Sequence, residues 1–186
     1  MTYYIDMIMS SFPYHTIDPI IGLPTYQKKQ ELHAKLNANA ASIYTNLCNG
    51  SHGLLRLTVS GAQCNSVSLV SFLVLANPSA ISTYSLNTIA AKQAKETEVH
   101  DMTIKVFREY SLADNTLTQL LLVTVEEKYY RVIRNSLIGY ANITTRALIQ
   151  HLYTNYTDIT STQLSNNDAQ MRYPYDPNQH IESLYE

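Results

Sequence analysis

The stretch DNTLTQLLLVTVEEKYYRVI, residues 114–133, predicts a helix at the centre of the fold. Apolar side chains recur in it at steps of three and four residues, which is the spacing of one helix face. Further apolar side chains on the other faces indicate burial nearly all round. Asp114 suits the N-cap, because its side-chain oxygen can accept a free backbone N–H, and Gly139 is expected to end the helix. The main face consists of Leu117, Leu121, Val125, Tyr129 and Val132.

A second helix is predicted from Thr25, whose hydroxyl can cap it, to Asn49–Gly50. Its apolar face has the same spacing and consists of Leu32, Leu36, Ala40, Ile43 and Leu47. The polar residues on the opposite side are expected to face solvent, and they are Lys28, Lys29, Lys35, Asn39 and Asn46.

Helical spacing is also found on both sides of the central stretch. From Leu86 it predicts a helix with one face formed by Val99, Met102, Val106 and Tyr110. From about Thr144 it predicts another, with one side formed by Leu148, Ile149, Leu152, Tyr153 and Tyr156. Together these segments predict a mainly α protein built as a helical bundle.

The first part of the chain, residues 1–24, predicts an extended arm. Its prolines, Pro13, Pro19 and Pro24, each fix φ and remove a backbone N–H donor. Apolar side chains between them, such as Phe12 and Ile20, are expected to dock on another surface. The arm is therefore a candidate for an interface.

Residues 54–75 leave three structures open. Leu55, Leu57 and Val59 alternate with polar residues, as in a half-buried strand, but Gly61 interrupts the pattern. The apolar run that follows is compatible with a strand, a short buried helix or an irregular hairpin.

The composition predicts a folded protein with few charges. Apolar residues make up 45% of the chain and charged residues 15%, and 13 basic residues face 15 acidic ones for a net charge of −2. This balance argues against a strongly basic nucleic-acid-binding module, because phosphate affinity depends on Lys and Arg. No apolar run reaches the ~20 residues of a membrane span, and the start lacks the features of a signal peptide. The chain is therefore expected to be cytoplasmic and to have no membrane partner.

Motifs for catalysis are missing from the sequence. It has no Gly-rich phosphate loop, G-x-S-x-G, H-E-x-x-H or C-x-x-C, so no enzyme activity, cofactor, metal or small-molecule substrate is expected. Cys48, His52, Cys64 and His100 lack a recognisable zinc-ligand spacing. His151 is expected to be a hydrogen-bonded neutral histidine.

Two surface features remain open in their meaning. Lys128, Arg131 and Arg134, with Tyr130 between them, form a small basic stripe, which is a weak candidate for RNA contact and is better explained as a solvated face or a protein contact. The 15 tyrosines suit protein interfaces and the edges of a core equally well.

A longer pattern lies in the C-terminal half. It comprises Gly139-Tyr-Ala-Asn-Ile-Thr-Thr-Arg-Ala-Leu-Ile-Gln-His-Leu-Tyr153, then Tyr156-Thr-Asp-Ile-Thr160, Met171 and Pro174-Tyr-Asp-Pro-Asn178. This order of segments resembles the capsid region of the Gag polyprotein of copia-type LTR retrotransposons, as found in many diatom, algal and fungal elements. The likeness is clearest over residues 105–186, whereas residues 54–100 match poorly. Thr157 and His180 depart from it, since Gly and Pro are common at these places.

The resemblance implies the fold class and the function. It implies a mainly α domain over residues 25–174 that is similar to a retroelement capsid N-terminal domain. The arm precedes this domain, and residues 175–186 are expected to begin a further helix or a second capsid half. It further implies a structural protein that self-assembles into intracellular virus-like particles packaging the RNA of the element.

The same resemblance singles out a set of residues for assembly or structure. They are Tyr140, Thr144, Leu148, Leu152, Tyr153, Tyr156, Pro174, Tyr175, Asp176 and Pro177. The alternative function is a domesticated or cellular helical module that binds another protein without forming a shell.

Overall fold

The computed structural model of the chain describes residues 8–45, 47, 52–68, 71, 72, 74–80 and 90–156, and the single residues 165 and 168. Its α-helices are α1 (Tyr26–Ser42), α2 (Gly61–Val67), α3 (Ala90–Thr124) and α4 (Thr145–Asn155), and residues 8–10 are also helical. Short 3₁₀ helices lie at Leu55–Leu57, Glu127–Tyr129 and Arg131–Ile133. Within the described ranges only isolated β-bridges occur, so the predicted mainly α class is confirmed.

The chain divides into two compact units, residues 1–156 and residues 157–186. The core of the first unit is formed by side chains from the arm, α1, the 3₁₀ segments, α3 and α4. The expected boundary between residues 174 and 175 lies outside the described residues.

Helix α1 begins as predicted and ends early. The Thr25 hydroxyl accepts the backbone N–H of Lys28 at 3.4 Å, and Leu32 and Leu36 are buried. The predicted end at Asn49–Gly50 is wrong, because the helix stops at Ser42 and the chain turns back on it. The backbone N–H of Leu54 then donates to the Ala40 carbonyl at 2.8 Å, which satisfies an acceptor at the helix end.

Two polar residues expected on the outer face of α1 are buried instead. Asn39 is fully buried, and its side-chain amide exchanges two hydrogen bonds with the backbone of Tyr14, at 2.8 and 2.7 Å. Lys29 is only 2% exposed. Both are stable inside because distant backbone groups satisfy their polar atoms.

The segment after α1 is helical rather than extended. Ser60 and Gln63 form a capping box, in which each side chain bonds the backbone N–H of the other, at 3.2 and 3.0 Å. This box starts α2 at Gly61, the residue expected to break a pattern. No strand or hairpin occurs in the described part of residues 54–75, so those two interpretations are wrong there. The buried helix is also wrong for the apolar run, because α2 ends at Val67 and the described residues after it, up to residue 75, are not helical.

Helix α3 replaces two helices that the sequence predicts, the one from Leu86 and the central one from Asp114. It runs without a break through Asp114, so the prediction of an N-cap at this residue is wrong. It ends at Thr124 instead of Gly139, and the chain continues in two 3₁₀ turns. Leu117 and Leu121 are buried as predicted, whereas Val132 is 79% exposed.

Asp114 caps a different helix. Its carboxylate accepts the backbone N–H of Thr145, the first residue of α4, at 3.0 Å, and its carbonyl accepts the Thr145 hydroxyl at 3.0 Å. Thr144, at which the sequence predicts the start of this helix, also caps it, through the N–H of Ala147. Burial raises the pKa of the Asp114 carboxyl, although the bonds from Thr145 oppose that shift.

We expect Asp114→Asn to be at least as stable as the wild type at pH 7, because it keeps the acceptor oxygen and removes a charge that burial disfavours. This advantage should shrink as the pH falls toward the ordinary carboxyl pKa of 3.8, since the raised pKa lets the folded wild type take up a proton first. Asp114→Ala should lose ~1 kcal/mol with the cap. Urea unfolding of both variants at pH 7 and pH 4 tests this, and an Asn variant weaker than the Ala variant would contradict it.

The described part of the arm docks on helices of its own chain. Phe12 and Ile20 are buried, and the Ile20 N–H donates to the Thr124 carbonyl at 2.7 Å. Ile20 also forms a parallel bridge with Val125. The described part of the arm therefore belongs to the core, and its backbone satisfies an acceptor at the end of α3.

Candidate assembly surface

The α4 residues singled out by the resemblance form the inner side of that helix. Leu148 is fully buried and Leu152 is 2% exposed, so neither offers a surface for a partner in this structure. Tyr153 and Tyr156 are half-buried against the core. Tyr156 packs edge-on against Tyr129, with 5.1 Å between the ring centroids. These side chains hold α4 in place.

Lys29 closes the C-terminal end of α4. Its ammonium donates to the carbonyl oxygens of Tyr156 and of Leu152, the latter at 3.4 Å, and it lies 5.5 Å from the ring centroid of Tyr153. A cation at a helix C-terminus is favoured, because the unpaired carbonyls there carry partial negative charge. The sequence gives no sign of this contact, since α1 and α4 are distant along the chain.

Tyr130 closes the C-terminal end of α3. It is 2% exposed, and its hydroxyl lies 2.5 and 2.6 Å from the carbonyl oxygens of Leu122 and Val125. Tyr140 packs edge-on against it, with 5.3 Å between centroids. Burial, followed by the neighbouring Tyr140 and Glu127, raises the pKa of Tyr130 to about 12.

Replacing Tyr130 with Phe should lower the free energy of unfolding by ~1–2 kcal/mol at pH 7, because the Leu122 and Val125 carbonyls lose the single hydroxyl donor that they share. The wild type holds this advantage below the ordinary phenol pKa of 10.0 and loses it as the pH rises through about 12. Urea unfolding between pH 7 and pH 11.5 should therefore show the two proteins converging. Tyr14→Phe, at a residue 42% exposed, serves as the control. A gap that stays constant with pH would contradict the prediction.

The basic stripe is largely neutralised by its own neighbours. The Lys128 ammonium lies 2.6 Å from the Glu126 carboxylate, and the Arg134 guanidinium 3.1 Å from that of Glu127. The hydrogen bond from Lys128 lowers the pKa of Glu126, and a second bond from the Gly22 N–H acts in the same direction. Two of the three weak candidates for RNA contact are thus paired with carboxylates, and Arg131 is exposed beside them.

Next to the stripe, residues 135–139 form a tight turn, here named the apolar turn. Asn135 and Gly139 exchange two backbone hydrogen bonds of 3.0 Å, and Gly139 has a φ of 62°, which glycine adopts without strain. The Asn135 side chain accepts the N–H groups of Leu137 and Ile138, at 2.8 and 3.2 Å. The turn therefore holds Leu137, which is 91% exposed, and Ile138, which is 47% exposed, at its tip.

A groove lies between the arm and α3, here named the arm groove. Its volume is about 350 Å³, and its described lining contains no Asp, Glu, Lys or Arg. Its apolar side chains come from both segments and include Met9, Phe12, Ile17, Leu112, Leu120 and Val123. Exposed apolar features of this kind are typical of interaction surfaces.

A polar cleft of about 640 Å³ lies between α1, α2 and α4. His33 lies in it and bonds the Thr58 carbonyl at 3.2 Å, while burial lowers the pKa of its ring. Arg146 carries the formal charge in the described lining, together with hydrogen-bonding groups such as Gln150. This set can bind a polar group, but among the described lining residues it provides no carboxylate for acid–base chemistry.

The conceivable zinc ligands do not converge where they are described. His52 bonds the Val67 carbonyl at 2.6 Å, His100 bonds the Ser79 carbonyl at 2.8 Å, and the Cys64 side chain is buried in the core. His151 is hydrogen-bonded, through Tyr129 at 3.0 Å and Asn155 at 2.9 Å. Across the ranges that the structure describes, no group of three or more His, Cys, Asp or Glu could hold a metal ion, and no helix is long and apolar enough to cross a membrane.

Several residues singled out by the sequence lie outside the described ranges. They include Cys48, Met171, Pro174, Tyr175, Asp176 and Pro177, together with residues 157–160, Asn178 and His180. The comparisons with known proteins add no family. No protein-family model, curated protein or solved structure matches the chain.

Proposed function

We propose that this chain is a Gag-like capsid domain, a structural protein without catalytic activity that self-assembles into particles around retroelement RNA. The sequence resemblance over residues 105–186 supplies the family, and the mainly α fold agrees with it in class. Such particles would form in the cytoplasm.

The apolar turn is the observation that carries the self-assembly part of this proposal. Leu137 is 91% exposed, and contact of its apolar side chain with water is unfavourable compared with burial. The backbone hydrogen bonds of the turn nevertheless hold this side chain outward. A net charge of −2 on 186 residues adds little repulsion between copies. Many weak apolar contacts between copies suffice to close a shell.

RNA would be held weakly by this part of the protein. Lys128 and Arg134 are already paired with Glu126 and Glu127, so few counterions would be released when phosphate binds. Packaging would then depend on enclosure by the shell more than on contacts with the described surface.

Mass photometry and negative-stain imaging of the purified chain over a range of protein concentrations test the proposal. We expect a steep rise in particle mass with concentration that persists at high salt, because the contacts are apolar. Nuclease treatment before extraction should leave protected RNA in particles assembled with RNA. A single small species under every condition would contradict the proposal and favour the interaction module.

A further inference from the structure

We propose that the apolar turn of one copy inserts Leu137 and Ile138 into the arm groove of a second copy. This inference rests on the proposed function, since it names the contact through which copies assemble. Three properties of the turn and the groove support it.

The turn and the groove match in charge and in size. Residues 135–139 contain no ionisable side chain, and the described lining of the groove carries no formal charge from Asp, Glu, Lys or Arg. Docking therefore removes none of these charged groups from water. The desolvation of charged groups is the largest penalty that a buried contact can carry. A groove of about 350 Å³ has room for two branched aliphatic side chains.

The two surfaces are different parts of the same chain. No residue of the turn belongs to the described lining of the groove. A contact between unlike surfaces is head to tail, so after the first contact forms one copy still has a free groove and the other still has a free turn. Such a contact continues into rings, filaments or shells, whereas a self-complementary contact stops at a dimer.

The contact area of the turn is small, and this favours a second copy of the chain, in a repeated assembly, over a single tightly bound partner as the occupant of the groove. Two side chains bury far less than the roughly 1,600 Å² of a standard stable complex. One such contact is weak, and it becomes useful only when repeated many times in an assembly. The turn limits the entropy lost on docking, because its backbone is already fixed by hydrogen bonds.

Charge substitutions test the contact in the full chain. Leu137→Asp on the turn and Val123→Lys on the groove change residues that are 91% and 77% exposed, so both variants should fold. Each should raise the concentration at which assembly begins by at least ~10-fold, because an unpaired charge is placed in an apolar contact. An equimolar mixture of the two variants should recover part of the loss, since the aspartate of one fits the lysine of the other. Val132→Asp, at a residue 79% exposed outside both surfaces, is the matched control and should assemble normally.

A photo-cross-linking amino acid at position 137 gives a second readout that also works for small oligomers. We expect intermolecular cross-links to peptides that contain residues 9–17 or 112–123. Cross-links only between two turns, or wild-type assembly by Leu137→Asp, would overturn this inference and leave the proposed function intact. Failure of the wild type to associate at any concentration would overturn the proposed function and the inference with it.

Discussion

Replacing Gly53 with alanine should lower the free energy of unfolding by ~3–4 kcal/mol, which is near the upper end for a single substitution. Gly53 has a φ of 51°, a left-handed conformation that costs other residues ~1–2 kcal/mol. A Cβ there would also collide with the Ala41 carbonyl oxygen and lie 2.6 Å from that of Ile43. Both are backbone atoms at the end of α1, so the chain has to move to relieve the overlap.

Gly22→Ala and Gly139→Ala separate these two causes. Both glycines have positive φ, of 76° and 62°, but an added Cβ would meet nothing within 4 Å at either position. They should therefore lose only the ~1–2 kcal/mol of backbone strain. Urea unfolding monitored by circular dichroism measures all three variants. If Gly53→Ala were as stable as Gly22→Ala, the backbone at the end of α1 would move away from the added Cβ without loss of stability, which would contradict the prediction.

Lys29→Met should have an effect of similar size. Methionine fills the space of the lysine stem, but it leaves the carbonyls of Tyr156 and Leu152 without the ammonium donor. Loss of a charged donor to buried acceptors costs ~2–4 kcal/mol, and this outweighs the gain from no longer desolvating the lysine. The loss should be concentrated in α4, whose amide hydrogens should exchange faster near Tyr156.

Lys28→Met is the matched control, because it makes the same chemical change at an exposed neighbour on the same helix. Its free energy of unfolding should stay within ~0.5 kcal/mol of the wild type. Denaturant titration at pH 7 compares the two. If Lys29→Met were as stable as Lys28→Met, the hydrogen bonds from the Lys29 ammonium to the C-terminal end of α4 would contribute nothing to stability.

Local signals predicted where α1 and α4 begin. Thr25 and Thr144 cap α1 and α4 because a hydroxyl needs only the backbone N–H three residues ahead. The same kind of signal was present but missed at Ser60 and Gln63, where S-x-x-Q spacing marks the capping box of α2. The tight turn ending at Gly139 could also have been found, since Asn135 followed by glycine at a short distance is typical of such turns.

Helix ends were predicted poorly, and the reason is physical. Apolar spacing continued past Thr124, but α3 stops there because the Tyr130 hydroxyl and the Ile20 N–H satisfy its last carbonyls. Likewise α1 stops at Ser42 because Leu54 returns to bond Ala40. In both cases the competing hydrogen bond comes from outside the helix, where a periodic pattern carries no information.

The sequence by itself determined the mainly α class, the caps of α1 and α4 and most of the buried apolar face, because these depend on neighbours within one helical turn. The tertiary structure alone decided that Lys29 and Asn39 are buried, that Asp114 caps α4, and that Leu137 is exposed. Burial of Lys29 and Asn39 and the cap from Asp114 each depend on a hydrogen-bonding group that is distant in the sequence. Exposure of Leu137 follows because no distant segment among the described residues packs over it. A polar side chain is stable inside only where the fold brings it a hydrogen-bonding group, and an apolar one is exposed only where the fold brings it nothing to pack against.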